Sequence, residues 1–152
     1  MPGPYELELP NVYLDHVVIE NAGTNLIIAN RHPYPDETDV IVTSTIAFDV
    51  FDIVATDIDA ASLVVTVEGV TVYNGGVGFS AGYTGSITVP FPDVLRVVLV
   101  PPSAFDSLQQ VDVVINVDII GGGALFTQSY SFIIQDLTSP VLLSAVAQSF
   151  KV

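Results

Sequence analysis

From Val40 to Phe51 the chain alternates with a period of two, and that pattern constrains the fold of this 152-residue sequence more than any other feature. Val40, Val42, Ser44, Ile46, Phe48 and Val50 fall on one face; Ile41, Thr43, Thr45, Ala47, Asp49 and Phe51 fall on the other. The first set is almost wholly apolar, whereas the second mixes Thr and Asp with apolar residues. Successive side chains of an extended chain point to opposite faces, so the pattern predicts a strand with one side buried. Val, Ile and Thr lose rotamer freedom in a helix, which disfavours the alternative. Just upstream, Pro33 and Pro35 fix φ and remove two backbone donors, pushing His32 and Tyr34 to extended conformations, and Asp36 and Glu37 suit a turn. The stretch from Arg31 to Asp52 therefore reads as a proline-punctuated turn running into one long strand.

The remainder repeats that grammar. Val12 to Glu20 is β-like, Asn21-Ala22-Gly23 is a turn signal, and Asn25 to Asn30 is a short second strand, so a hairpin is expected. Ile53 to Ala61 is an acid-rich connection. Ser62–Val67 and Val70–Tyr73 flank Glu68-Gly69, a tight hairpin signal. Asn74-Gly75-Gly76 turns again, and Val77 to Val89 is rich in Gly and Ser, with 86–89 extended. Pro90-Phe91-Pro92-Asp93 makes a rigid corner before a strand at 94–100, which Pro101-Pro102 stops. Ser103 to Gln110 is the one place where a helical turn is expected, with Ser103 as N-cap and Asp106 completing a capping box. Val111–Ile120 and Leu125–Gln135 are the last strands, separated by Gly121 to Gly123. Eight to ten short strands, no long amphipathic helix and no βαβ spacing predict an all-β antiparallel sandwich. The expected layout is an extended arm over 1–11, the sandwich over 12–137, and a strand or arm over 138–152. That last piece is apolar and is expected to pair with a neighbouring copy, dock on its own sandwich, or open a following module.

Composition limits what such a sandwich can do. Seventeen acids face three bases, Arg31, Arg96 and Lys151, giving a net charge of −14. That balance argues against nucleic acid and anionic membranes as partners. With no cysteine in the chain, thiol catalysis, disulfides and thiolate metal sites are excluded. No apolar run approaches the ~18 residues that a membrane helix needs. MPGPYELELP lacks the basic and apolar regions of a signal peptide.

Few residues are candidates for chemistry. Gly78-Phe79-Ser80-Ala81-Gly82 fits the G-x-S-x-G nucleophile elbow, but that elbow needs a following helix and a later His. The residues after it, YTGSITVP, are strand-like, and both histidines, His16 and His32, come earlier; small residues at a β-turn are the better reading. Asp49, Asp52, Asp57 and Asp59 fall close together, and strand-end aspartates converging on a loop can hold Ca²⁺. The plainer reading is a solvated acidic loop. His16 and His32 lack the third ligand that a transition-metal site needs. Tyr5, Tyr13, Tyr34, Tyr73 and Tyr83 could line a sugar-binding surface, although tyrosines at strand ends commonly cap a sandwich core. No catalytic residue and no required cofactor is expected.

Three segments together resemble Ig-like modules of phage virion and bacterial surface proteins. NRHPYPDETDVIVTSTIAFDVFD is similar to the opening of those modules, with Asp36 where glycine is commoner. DAASLVVTVEGVTVYNGG resembles their hairpin, and YSFIIQDLTSP their closing strand. The likeness runs from about Asn30 to Pro140, in the right order. It implies an Ig-like sandwich with extended terminal arms. It also implies a non-enzymatic structural role in a virion, as capsid decoration, cement or tail component, with other virion proteins and copies of itself as partners. The alternative it implies is a bacterial cell-surface module, outside the cell, that binds glycan or protein, with or without stabilisation by Ca²⁺.

Overall fold

The computed structural model describes residues 25–54, 58–122 and 125–139. The expected N-terminal arm, the strand at Val12–Glu20 with its hairpin turn, and the C-terminal strand lie outside the described residues. The described residues form nine strands, in order β1 (Leu26–His32), β2 (Ile46–Asp52), β3 (Ile58–Val67), β4 (Val70–Asn74), β5 (Gly78–Phe79), β6 (Thr84–Phe91), β7 (Val94–Val100), β8 (Gln110–Ile119) and β9 (Phe126–Ile133). They form two antiparallel sheets, β1-β2-β7-β6 and β5-β4-β3-β8-β9. The described residues contain no helix.

Alternation builds the core. Ile46, Phe48 and Val50 of β2 sit opposite Leu99, Val97 and Leu95 of β7. Leu63, Val65 and Val67 of β3, Val111, Val113, Ile115 and Val117 of β8, and Phe126, Tyr130 and Phe132 of β9 supply the facing layer of the same apolar cluster. Such side chains interdigitate between sheets about 10 Å apart. The Glu68-Gly69 hairpin forms as expected. Both residues have positive φ, +53° and +74°, the backbone that a two-residue turn between twisted strands requires.

The long strand expected from Val40 to Phe51 is instead two pieces in two sheets. Val40 joins the edge of the five-stranded sheet, through a parallel bridge to Ile134. Asp36 N donates to Ser131 O (2.8 Å), Ile133 N to Glu37 O (2.8 Å), Val40 N to Ile133 O (3.1 Å) and Gln135 N to Val40 O (2.8 Å). A turn follows, closed by Ser44 N donating to Ile41 O, and only from Ile46 does the chain enter the four-stranded sheet. The apolar period survives the crossing because both pieces line the same core: Val40, Ser44, Ile46, Phe48 and Val50 are all buried. Asp36 holds a left-handed φ of +59°, a conformation that glycine adopts more readily than other residues.

One other expectation is corrected. Residues 103–110 contain no helical turn. Phe105 N donates to Val42 O, Gln109 N donates to Asp106 O, and Asp106 N donates to the Gln109 side chain, so a tight turn replaces the Ser103 cap. Leu108 is left-handed at +61°, which no right-handed helix tolerates. The extended stretch expected at 86–89 does form, as the middle of an eight-residue strand paired along β7 from Val94 to Val100.

At the other flank, β1 carries a bulge. Asn30 is left-handed (+51°) and the register shifts between Ala29 and His32. The extra residue re-aims the strand, so Arg31 is buried with its guanidinium 5.6 Å from the Tyr130 ring centroid. Tyr130 is 8% exposed, and its hydroxyl has no hydrogen-bond partner among the described residues. Burial pushes its pKa up, and the Arg31 charge opposes that shift. Tyr130→Phe keeps the ring under Arg31 and removes the unpaired hydroxyl, so a gain of about 1 kcal/mol in urea-denaturation stability is expected. A loss would mean that the hydroxyl is bonded in solution.

Candidate functional site

Of the four aspartates considered for calcium, Asp57 lies outside the described residues, and the other three have separate roles. Asp49 is buried on β2, on the face opposite Phe48 and Val50. Arg96, its cross-strand partner on β7, grips it with two bonds, Nε–Oδ1 at 2.8 Å and Nη2–Oδ2 at 3.0 Å. Asn30 Nδ2 donates to Oδ2 at 2.9 Å, an approach that the β1 bulge makes possible. Asp52, at the end of β2, accepts from Val54 N at 3.0 Å. Asp59 belongs to β3 in the other sheet, where it accepts from Ala61 N and lies opposite Asp118 of β8. No group of three or more His, Asp or Glu side chains suited to a metal ion occurs among the described residues.

The Asp49 cluster is structural. The hydrogen bonds from Arg96 hold its carboxyl below the usual value of 3.8, with burial opposing and Asn30 assisting. A depressed folded-state pKa means that the stabilisation is present above the unfolded value and is lost as pH falls through the folded value. Asp49→Asn is therefore expected to lower stability at pH 7 by about 1–3 kcal/mol. The variant should also lose less than the parent between pH 5 and pH 2 in paired urea melts, because it has no carboxylate here to protonate.

The G-x-S-x-G segment is a strand edge and a turn. Gly78 and Phe79 are β5, Ser80 Oγ donates to Thr71 O at 2.6 Å, and Ala81 and Gly82 turn with φ of +52° and +77°. β5 is an edge of the five-stranded sheet, whereas His32 ends β1, an edge of the four-stranded sheet. His16 lies outside the described residues.

The tyrosines do not gather. Tyr34 is exposed in the loop after β1, and Tyr73 packs on Phe79 with ring centroids 5.0 Å apart. Tyr83 lines a cleft of about 380 Å³ between the β3–β4 turn, residues 81–83 and the loop after β7. Tyr5 and Tyr13 lie outside the described residues. Pro101, Pro102 and Phe105 give the cleft apolar walls, and Glu68 and Asp106 bring carboxylates to it. Burial, aided by the Glu68 charge, raises the Tyr83 pKa, so the phenol stays protonated and can donate. An aromatic, proline-walled, acid-bearing cleft is suited to binding, above all of a group with an apolar body and a basic or donor end. Neither this cleft nor the Arg31–Tyr130 stack is marked by a motif in the sequence. The local signal there is the Pro101-Pro102 pair, read as the stop of the strand at 94–100, and the cleft's walls come from three separate turns.

Compared with known proteins, the chain gives no significant match to a family model, a curated protein or a solved structure.

Proposed function

We propose that this protein is a non-enzymatic structural component of a phage virion, a β-sandwich that decorates or cements the capsid or builds part of the tail, and that it works as a homo-oligomer. The observation that carries the reading is how the segments resembling virion modules meet. Residues 36–40 of the first segment lie in a parallel ladder along residues 131–135 of the third. The second segment supplies β3 and β4 of the same sheet. Segments that resemble one module in sequence thus meet in one sheet, which supports the reading. The acid balance supports the reading too, since an exterior carrying −14 avoids the packaged genome.

The test is the location of the gene and of the protein. Head or tail structural genes are the expected neighbours, and immunogold labelling should place the protein on purified particles. Particles free of it, from cells that express it, overturn the proposal. The surface-module alternative is favoured by one observation, the cleft at Tyr83 and Phe105. It predicts glycan or peptide binding there and a calcium-raised Tm, with heat evolved on calcium titration.

A further inference from the structure

Each sheet has two edges, and an uncovered edge is a template for another strand. Three of the four are short, covered or broken among the described residues. β5 has two residues. β9 is covered over Ser131–Gln135 by the ladder from residues 36–40. β1 is broken by its bulge at Asn30. The fourth, β6, runs for eight residues, of which all but Ile87 are exposed. Val89 and Phe91 expose 60% and 68% of their surface. From Asn74 through Pro92 there is no Asp, Glu, Lys or Arg, in a chain with seventeen acids.

We propose that β6 pairs antiparallel with β6 of a second copy of this chain, joining two four-stranded sheets about a two-fold axis. The inference rests on the homo-oligomeric part of the reading above. Charge selects the occupant. Two copies at −14 repel, and the repulsion is least where they meet along the uncharged flank. An isologous contact brings the same edge to both sides, so an edge free of charge meets one equally free. Edges that must stay single commonly carry lysine or inward charge, and β6 carries neither. It does carry a register shift between Thr88 and Phe91, and Pro90, which has no donor. These end the ladder without forbidding it. They confine pairing to Thr84–Thr88 and so fix the register, with Ser86 nearest the axis. The same register carries Val89 and Phe91 of each copy toward the Ala81–Tyr83 turn of the other, covering apolar surface on both.

The chain's lack of cysteine makes the test direct. Ser86→Cys on β6 and Ser129→Cys on β9 both replace exposed edge residues, and each variant is oxidised after a thermal melt verifies the fold. Facing residues of an antiparallel pair have Cα atoms about 4.5–5.5 Å apart, within the roughly 4.4–6.8 Å that a disulfide spans. The expected result is a dimer by light scattering, a disulfide-linked dimer from Ser86→Cys, and none from Ser129→Cys. Added salt should strengthen the dimer, because screening removes repulsion. The Thr84→Glu/Thr88→Glu double variant should weaken it by about tenfold, since like charges then face across the ladder. An oligomer in which Ser86→Cys does not cross-link overturns the β6 pairing and leaves the virion reading standing. A monomer at every concentration and salt level overturns both the pairing and the homo-oligomeric part of that reading.

Discussion

Phe132→Ala is expected to lower stability by about 3–5 kcal/mol, enough to unfold most ordinary domains of this size on mild warming. Phe132 has no exposed surface, lies opposite Val111 on the β8–β9 ladder, and meets Phe105 edge-to-face with centroids 6.0 Å apart at 82°. Phe105 is itself held by its N–H bond to Val42 O, in the turn where the chain crosses from one sheet to the other. Truncation therefore opens a cavity under the crossing segment and removes the ring that positions the loop after β7. The extended strands around it cannot close that gap without breaking their ladders, so little relaxation is available to reduce the loss. Urea denaturation followed by tyrosine fluorescence measures it. Phe132→Leu, which refills part of the volume, should recover a good share. A loss under about 1 kcal/mol for the alanine variant would mean that the ring is not in the core.

The second large effect is at Gly85. Its φ is +150°, and a Cβ added there would collide with the Val98 carbonyl oxygen on the neighbouring strand. Backbone rather than a flexible side chain is in the way, so β6 must move off β7 or Gly85 must change conformation. Gly85→Ala is expected to cost about 3 kcal/mol or more, combining dihedral strain with broken ladder bonds between Thr84 and Thr88. Hydrogen exchange should show Thr84–Thr88 losing protection while β3 and β8 keep theirs. Ser86→Ala, one position along and exposed, should stay within about 0.5 kcal/mol of the parent. Equal behaviour of the two variants would overturn the β6–β7 register.

Local chemistry made much of the fold legible. Glu68-Gly69 between two β-branched runs has few alternatives to a tight hairpin, and the structure has one there. The apolar alternation of Val111–Ile120 becomes β8, buried at every second residue from Val111 to Val117. The same reasoning overextended where two strands in different sheets share a period. Val40 and Ile46 differ by an even number and both face the core, so no periodicity marks the crossing between them. Helical capping at Ser103 failed for the complementary reason. A cap and an acid at the right spacing were present, but Phe105 and Leu108 were committed by hydrogen bonds to Val42 and Gln135.

The candidate sites were less legible. Asp49 looked like one of four loop acids, yet it is a buried carboxylate gripped by Arg96, which lies 47 residues later. The cleft at Tyr83 comes from turns of both sheets, the β3–β4 turn on one side and the loop after β7 on the other, and the edge position of β6 comes from the sheet order β1-β2-β7-β6.

The sequence by itself determined the class: period-two burial, β-branched runs and turn residues at short spacing admit strands and hairpins and little else, because those preferences act over a few residues. Only the tertiary structure decided which strands are neighbours, and with them the burial of Asp49 and Arg31, the crossing at 40–46 and the edge position of β6 among the described residues. Those features depend on contacts between residues tens of positions apart, and no local preference encodes which of several similar strands will lie alongside.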